Sequence, residues 1–203
     1  MVKKQRPVRA HQTLTNPETV TMAMDPGLAA LGIAAVSWPQ SGRPRLLSAQ
    51  ILQTKKASKK DLQQIRVATD DMRRVRELWA TVRAWLAEYQ PRAVAIEGYS
   101  PIPGKQGHGS WKVGAVTYAL VALCWAHGIE PVIARPADLR RHFLRRESGT
   151  KMDIEQAVGE VVTGAAAVID AVAVSKREHL ADSIGYAVVA HHEMQRIRQL
   201  AGL

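Results

Sequence analysis

The sequence predicts an α/β fold with a five-stranded mixed sheet flanked by helices. Three observations carry that prediction. Short apolar runs punctuated by Pro and Gly crowd residues 20–52, a long segment of helical periodicity follows, and strand-like and helix-like segments then alternate. Val20–Asp25 is a short apolar run closed by Pro26-Gly27, and Leu28–Trp38 continues it. Pro39–Pro44 makes a turn, and Arg45–Leu52 gives a third run. Consecutive short strands with short turns read as an antiparallel meander. After the polar stretch Lys55–Lys60, residues Asp61–Tyr89 place Ile65, Ala68, Met72, Val75, Trp79, Val82 and Leu86 at alternating steps of three and four, one stripe of a helix. Pro91 ends it, and Ala93–Glu97 is a buried-type strand that finishes in a carboxylate. Gly98–Gly109 is rich in glycine and proline and reads as a mobile loop that orders on a ligand. A helix follows over about Trp111–His127, then a fifth strand, Glu130–Ala134. Pro136 suits the first turn of the next helix, which runs through Leu139 and Phe143 into the basic loop Arg145–Lys151. Met152–Val162 is helical, the Ala-rich Thr163–Val174 is ambiguous, and Glu178–Met194 is the final helix.

These elements fill one domain over residues 20–194. Residues 1–19 are basic, contain Pro7 and Pro17, show no apolar periodicity and read as a disordered arm, while 195–203 is a short tail. With 203 residues there is no room for a second core, which excludes two-lobed ATPases. No apolar stretch approaches the roughly 18 residues of a membrane span, so a membrane partner is not expected. Cys124 is the single cysteine, which rules out an internal disulfide and a cysteine-based zinc site and points to a reducing compartment. The expected location is the cytoplasm of a bacterium or a phage-infected cell, with an organelle as the alternative. The net charge of +10 suggests a polyanionic partner, since a cation that neutralises a phosphate releases a counterion.

Three short motifs could carry chemistry. Asp25 ends a buried strand just before Pro26-Gly27, so its carboxylate projects from a rigid sheet end; an Asp in that position is also an ordinary turn initiator. Glu97 repeats the device on another strand. Two carboxylates side by side raise each other's proton affinity unless a cation lies between them, and Mg²⁺ or Mn²⁺ suits oxygen ligands. His179 and Asp182 stand three apart on a helix and so share a face, although polar residues in a first helical turn are common.

Taken together, MAMDPGLAALGIAAV, AVAIEGYS, WKVGAVTYALVALCWAHGIEPVIARPADLRRHF and HLADSIGYAVVAHH resemble, in order, the RuvC-type Holliday junction resolvases of the ribonuclease H-like superfamily. The resemblance implies a ribonuclease H-like fold and a crossover junction endodeoxyribonuclease. Such an enzyme nicks four-way DNA junctions in pairs during recombination, repair or replication. It implies that Asp25, Glu97, His179 and Asp182 form a catalytic site for two Mg²⁺ ions, with Mn²⁺ able to substitute. Many family members have Asp where His179 stands. Arg140 and Lys151 fall near the basic residues that hold the scissile backbone in that family. Lys105 and Lys112 would lie near phosphates, and Tyr99 is the candidate stacking wedge, although the family places its aromatic one residue later. A homodimer with two sites would nick both strands of a symmetric junction. The alternatives are another ribonuclease H-like nuclease acting on flaps, forks or RNA–DNA hybrids, and an inactive DNA-binding derivative.

Overall fold

The computed structural model of the chain describes residues 18–98 and 110–202. The proposed N-terminal arm, apart from its last residues, and the loop segment bearing Tyr99 and Lys105 lie outside the described residues. Five strands form one sheet in the order β3-β2-β1-β4-β5: β1 Thr19–Asp25, β2 Ala30–Trp38, β3 Arg45–Gln53, β4 Ala93–Glu97 and β5 Val132–Ala134. The expected meander is present, with β2 antiparallel to both β1 and β3. Strands β4 and β5 add in parallel, so the sheet is mixed. The fifth strand is shorter than its apolar run suggested, since Glu130 and Pro131 remain outside it; Pro131 has no N–H to give a ladder.

The helices cover both faces. α1 (Val67–Tyr89) and α2 (Ser110–Ala126) lie on one face, while α6 (Val174–Ala201) lies on the other, backed by α3 (Pro136–Leu144), α4 (Lys151–Val161) and α5 (Ala165–Asp170). Strand alternation sorts the side chains between them. Met22, Met24, Val94 and Ile96 join Leu78, Val82, Leu120 and Cys124 in the core beneath α1 and α2. Ala23, Ala34, Ala93 and Ala95 face α6. Because those residues are so small, α6 approaches the strands closely, and residues Leu180–Ala181 and Ser183–Ala190 of the helix are all buried. Thr21, fully buried on that face, donates its hydroxyl to the Ala187 carbonyl at 2.8 Å and accepts from the Trp38 indole at 2.9 Å.

Three elements depart from their sequence reading. The helix expected from Asp61 begins at Val67 after a 3-10 turn over Asp61–Gln63, and its buried face follows the apolar stripe through Val75, Trp79, Val82 and Leu86 but not in its first turns. Met72 and Ile65 are exposed, whereas Asp70, Asp71 and Arg74 are buried with Leu78, Val82 and Trp85. Charged residues there pair with one another and with the chain after β3, which hydropathy alone does not register. The ambiguous Ala-rich stretch contains α5. The last helix starts at Val174 and continues to Ala201, through most of the supposed tail.

Gly32 marks the tightest approach of α6. A Cβ at Gly32 would stand 2.3 Å from the His179 carbonyl oxygen, a backbone atom that cannot rotate aside. Gly32→Ala should therefore push α6 off β2 and cost about 1–3 kcal/mol of stability. A thermal melt of the variant reads this as a lowered Tm; an unchanged Tm would mean that helix and strand part without cost.

Candidate active site

Asp25 and Glu97 end two adjacent parallel strands, and the pairing of Met24 with Ile96 sets them at the same level of the sheet. Both lie on the α6 side, because each follows an alanine on that face two residues earlier. α6 brings His179 and Asp182 over the same strand ends. The His179 imidazole contacts the Asp25 carboxylate, Nδ1 to Oδ2, at 2.5 Å. All four residues line one cleft of about 280 Å³. Arg140 of α3 and Lys151 of α4 stand on its opposite rim, together with Thr150, whose side chain caps α4 by accepting from the Asp153 N–H.

Of the predicted site residues, the structure thus brings together Asp25, Glu97, His179, Asp182, Arg140 and Lys151. It does not bring Lys112 into that cleft. The Lys112 ammonium is 2.8 Å from Asp71 on α1 and lies over the Trp111 ring. One residue was passed over: Glu178 also lines the cleft, and its carboxylate pairs with Lys151. Its spacing of four from Asp182 was the available signal, since i and i+4 share a helical face.

Electrostatics make this a strained cluster of like charges. Burial, the hydrogen bond with Asp25 and the charges of Asp25, Asp182 and Glu178 push the Glu97 carboxyl up to about 9. Burial again, reinforced by Asp25 and Glu178, raises Asp182 to about 7. His179 is raised in turn by its hydrogen bond to Asp25, and Lys151 by its bond to Glu178. Glu97 and Asp182 hold protons near neutrality because burial and the neighbouring carboxylates outweigh the lowering that His179 and Lys151 exert on Asp182.

Three carboxylates and an imidazole are a donor set that fits a hard divalent cation. Among the described residues no three His, Cys, Asp or Glu side chains are arranged to hold an ion as they stand, with His179 closed onto Asp25. The chemistry of the donors fits, and the contact through Nδ1 leaves the His179 Nε2 available.

No protein-family model matches the chain, and no curated protein matches it. Solved structures do. Thermus thermophilus RuvC is similar at 22% identity and a TM-score of 0.66, covering 88% of this chain and 96% of that one. The T. thermophilus RuvC complex with Holliday junction substrate gives 20% identity and a TM-score of 0.65 over the same shares. The yeast mitochondrial Holliday junction resolvase Ydc2 gives 12% and 0.57, covering 91% of this chain and 87% of that one. The fold is therefore the ribonuclease H-like fold that these structures share, as the sequence reading expected.

The raised carboxyls set a pH dependence of stability. An acid whose folded pKa exceeds its unfolded value destabilises the fold wherever it is ionised, so Asp182 costs most above about pH 7 and nothing below its ordinary carboxylate range. Asp182→Asn should melt higher than the parent at pH 8 without added metal. The difference should shrink steadily towards pH 4. Equal melting temperatures across that range would show that Asp182 is not destabilised by its neighbours.

Proposed function

We propose that this chain is a structure-selective endonuclease that resolves four-way DNA junctions by paired nicks. The observation that carries the reading is the convergence of Asp25, Glu97, His179 and Asp182, from two strand ends and a helix, in a cleft rimmed by Arg140 and Lys151. The similar structures include a complex of T. thermophilus RuvC with Holliday junction substrate, which supports junction DNA as the substrate.

In this reading Asp25, Glu97, His179 and Asp182 hold two Mg²⁺ ions, or Mn²⁺ in their place. When bound, these supply a water made nucleophilic near neutral pH and charge neutralisation at the departing 3′ oxygen. Glu97 and Asp182 surrender their protons on binding, and His179 offers its Nε2. Arg140 and Lys151 receive the scissile phosphate, with Lys151 leaving Glu178 for a phosphate oxygen. Water would attack phosphorus in line and give up a proton to solvent as the bond between phosphorus and the 3′ oxygen breaks, and the departing 3′ oxygen would take a proton from solvent. Tyr99 remains the candidate wedge at the junction centre and Lys105 a candidate phosphate contact. Lys112 has a different starting point, since DNA must compete with Asp71 for it.

A homodimer gives the two sites that paired nicks require. The outer face of α2 supports one. Trp111, Tyr118 and Trp125 stand at heptad spacing and are 56%, 72% and 57% exposed, with exposed Ala115 and Ala122 between them. A self-complementary stripe of aromatics and small residues can pair with its own copy across a two-fold axis. Tyr118→Glu should convert a dimer to a monomer in sedimentation; a variant that sediments like the parent would move the interface elsewhere.

The catalytic test is cleavage of a synthetic four-way junction in Mg²⁺, Mn²⁺ and EDTA, beside an RNA–DNA hybrid and a flap. Asp25→Asn and Glu97→Gln should each abolish cleavage of the junction and leave its binding intact or tighter, because a lost carboxylate removes metal affinity and also repulsion of DNA. Variants that cut at the parent rate would remove these residues from the site. Faster cleavage of the hybrid or the flap would assign the chain to those substrates.

A further inference from the structure

A second feature of this sheet end is used by neither the cleft nor the dimer face. Beyond β3 the chain runs through Thr54-Lys55-Lys56-Ala57-Ser58-Lys59-Lys60. The pairing of Gln53 with Ala30 brings this segment to the sheet end where Asp25 lies. The Thr54 N–H donates to the Ala29 carbonyl at 3.1 Å and its hydroxyl to the Leu28 carbonyl at 2.5 Å, both in the turn that follows Asp25. Lys176, in the first turn of α6, donates to the Gln53 side chain at 3.2 Å.

Charged residues of α1 and of the turn before it hold the segment in place. Arg74 donates to the Thr54 hydroxyl at 2.8 Å, and Arg73 to the Lys55 carbonyl at 2.7 Å. Asp70 accepts the Ala57 N–H at 3.1 Å, while Asp61 accepts the Ser58 N–H at 3.1 Å and its hydroxyl at 2.6 Å. Asp70 and Arg74 are only 1% and 6% exposed. Burying ions in the first turns of a helix brings it little net stability over apolar residues of the same size. What these ions do accomplish is to fix the path of residues 54–58.

The side chains on that fixed path are unmatched. Lys55, Lys56, Lys59 and Lys60 are all exposed, and none of their ammonium groups has a partner among the described residues. Of the other cations on this side of the fold, Lys151 pairs with Glu178 and Arg73 with Asp70 and Glu77, while Arg140 faces the cleft itself. The acid beside them, Asp61, is committed to Ser58, so the four ammonium groups stand exposed without an ion-pair partner, as a polyanion's site requires. β3 lies two interstrand spacings from β1, about 10 Å, and a DNA duplex carries a charge for about every 1.7 Å of its axis. The strip is thus within reach of phosphates in the same arm as one held at Asp25.

We infer that Lys55, Lys56, Lys59 and Lys60 form a phosphate-binding strip that holds a duplex arm of DNA leading into the cleft. It rests on the endonuclease reading only for the identity of the nucleic acid. The strip sits on the β3 side of Asp25, and Arg140 and Lys151 sit on the α3 and α4 side, so DNA passing over the carboxylates would be gripped from both flanks.

The experiment is equilibrium binding across a salt series in EDTA, where nothing is cut, on a four-way junction and on a plain duplex. It compares the parent with K55Q/K56Q/K59Q/K60Q, with the same four positions changed to Arg, and with R196Q/R198Q near the far end of α6. The Gln variant should keep the parent's melting temperature, since its side chains are exposed, yet bind both DNAs at least about tenfold more weakly at low salt. Its plot of log affinity against log salt should be shallower by about 2–4, and the Arg variant should restore the slope. R196Q/R198Q should retain the parent slope. An unchanged slope in the Gln variant overturns the strip, as does an equal loss in R196Q/R198Q. So does an unchanged DNA slope coupled with lost binding to phosphatidylserine–phosphatidylcholine vesicles, which would assign the lysines to a membrane surface. If the parent cuts no DNA but the slope falls as stated, the strip stands as a nucleic-acid site and the endonuclease reading fails. If the parent cuts junctions and the slope is unchanged, the reverse holds.

Discussion

The closeness of α6 to the sheet is the constraint on which the rest of this structure depends. Ala23, Gly32, Ala34, Ala93 and Ala95 give the sheet an almost side-chain-free face, and α6 lies on it through Ala181, Ser183 and Ala187. A helix carried on leucines would stand farther off, and its polar first turns would hang over solvent rather than over the strand ends. With the helix this close, His179 and Asp182 arrive within reach of Asp25 and Glu97. The site's geometry therefore follows from the packing volumes of alanine and glycine, none of which touches a reacting group.

That same closeness creates the electrostatic problem. Carboxylates converge where water is partly excluded; Glu97 and Asp182 hold their protons more tightly, and His179 lies against Asp25. A site left with uncompensated charge lowers the stability of the fold that holds it. The fold withstands this because the two cores on either side of the sheet are large and apolar, with Met22, Met24, Leu31 and Ile33 wholly buried. Function here is set on an element that packing over-determines.

The cations are arranged in two ways. Some are neutralised within the fold, as with Arg135 and Arg141 around Asp138 and Lys112 beside Asp71. Others stand exposed on a backbone held from beneath, as at Lys55–Lys60. Net charge alone does not separate these classes, because a paired arginine and an unpaired lysine count equally in it. The difference lies in what surrounds each group, and it decides which of them meet a polyanion without first breaking an internal contact.

Much of the fold was legible in the sequence. Short apolar runs closed by Pro and Gly marked the meander, and strands ending in Asp25 and Glu97 announced carboxylates at a sheet end, because apolar runs and chain-breaking residues act locally. The resemblance to RuvC-type resolvases then implied that His179 and Asp182 join them. Tertiary structure alone decided what depended on distant partners. It turned the buried face of α1 from the Ile65–Met72 stripe to Asp70, Asp71 and Arg74, since an ion is buried only where another element supplies its counter-charge. It paired Lys112 with Asp71 and set Glu178 against Lys151. It also placed Lys55–Lys60 beside the cleft, because strand register carries the chain back to the Asp25 end of the sheet. Periodicity tells which face of an element is apolar, and only the packed neighbours tell which charges that face can hold.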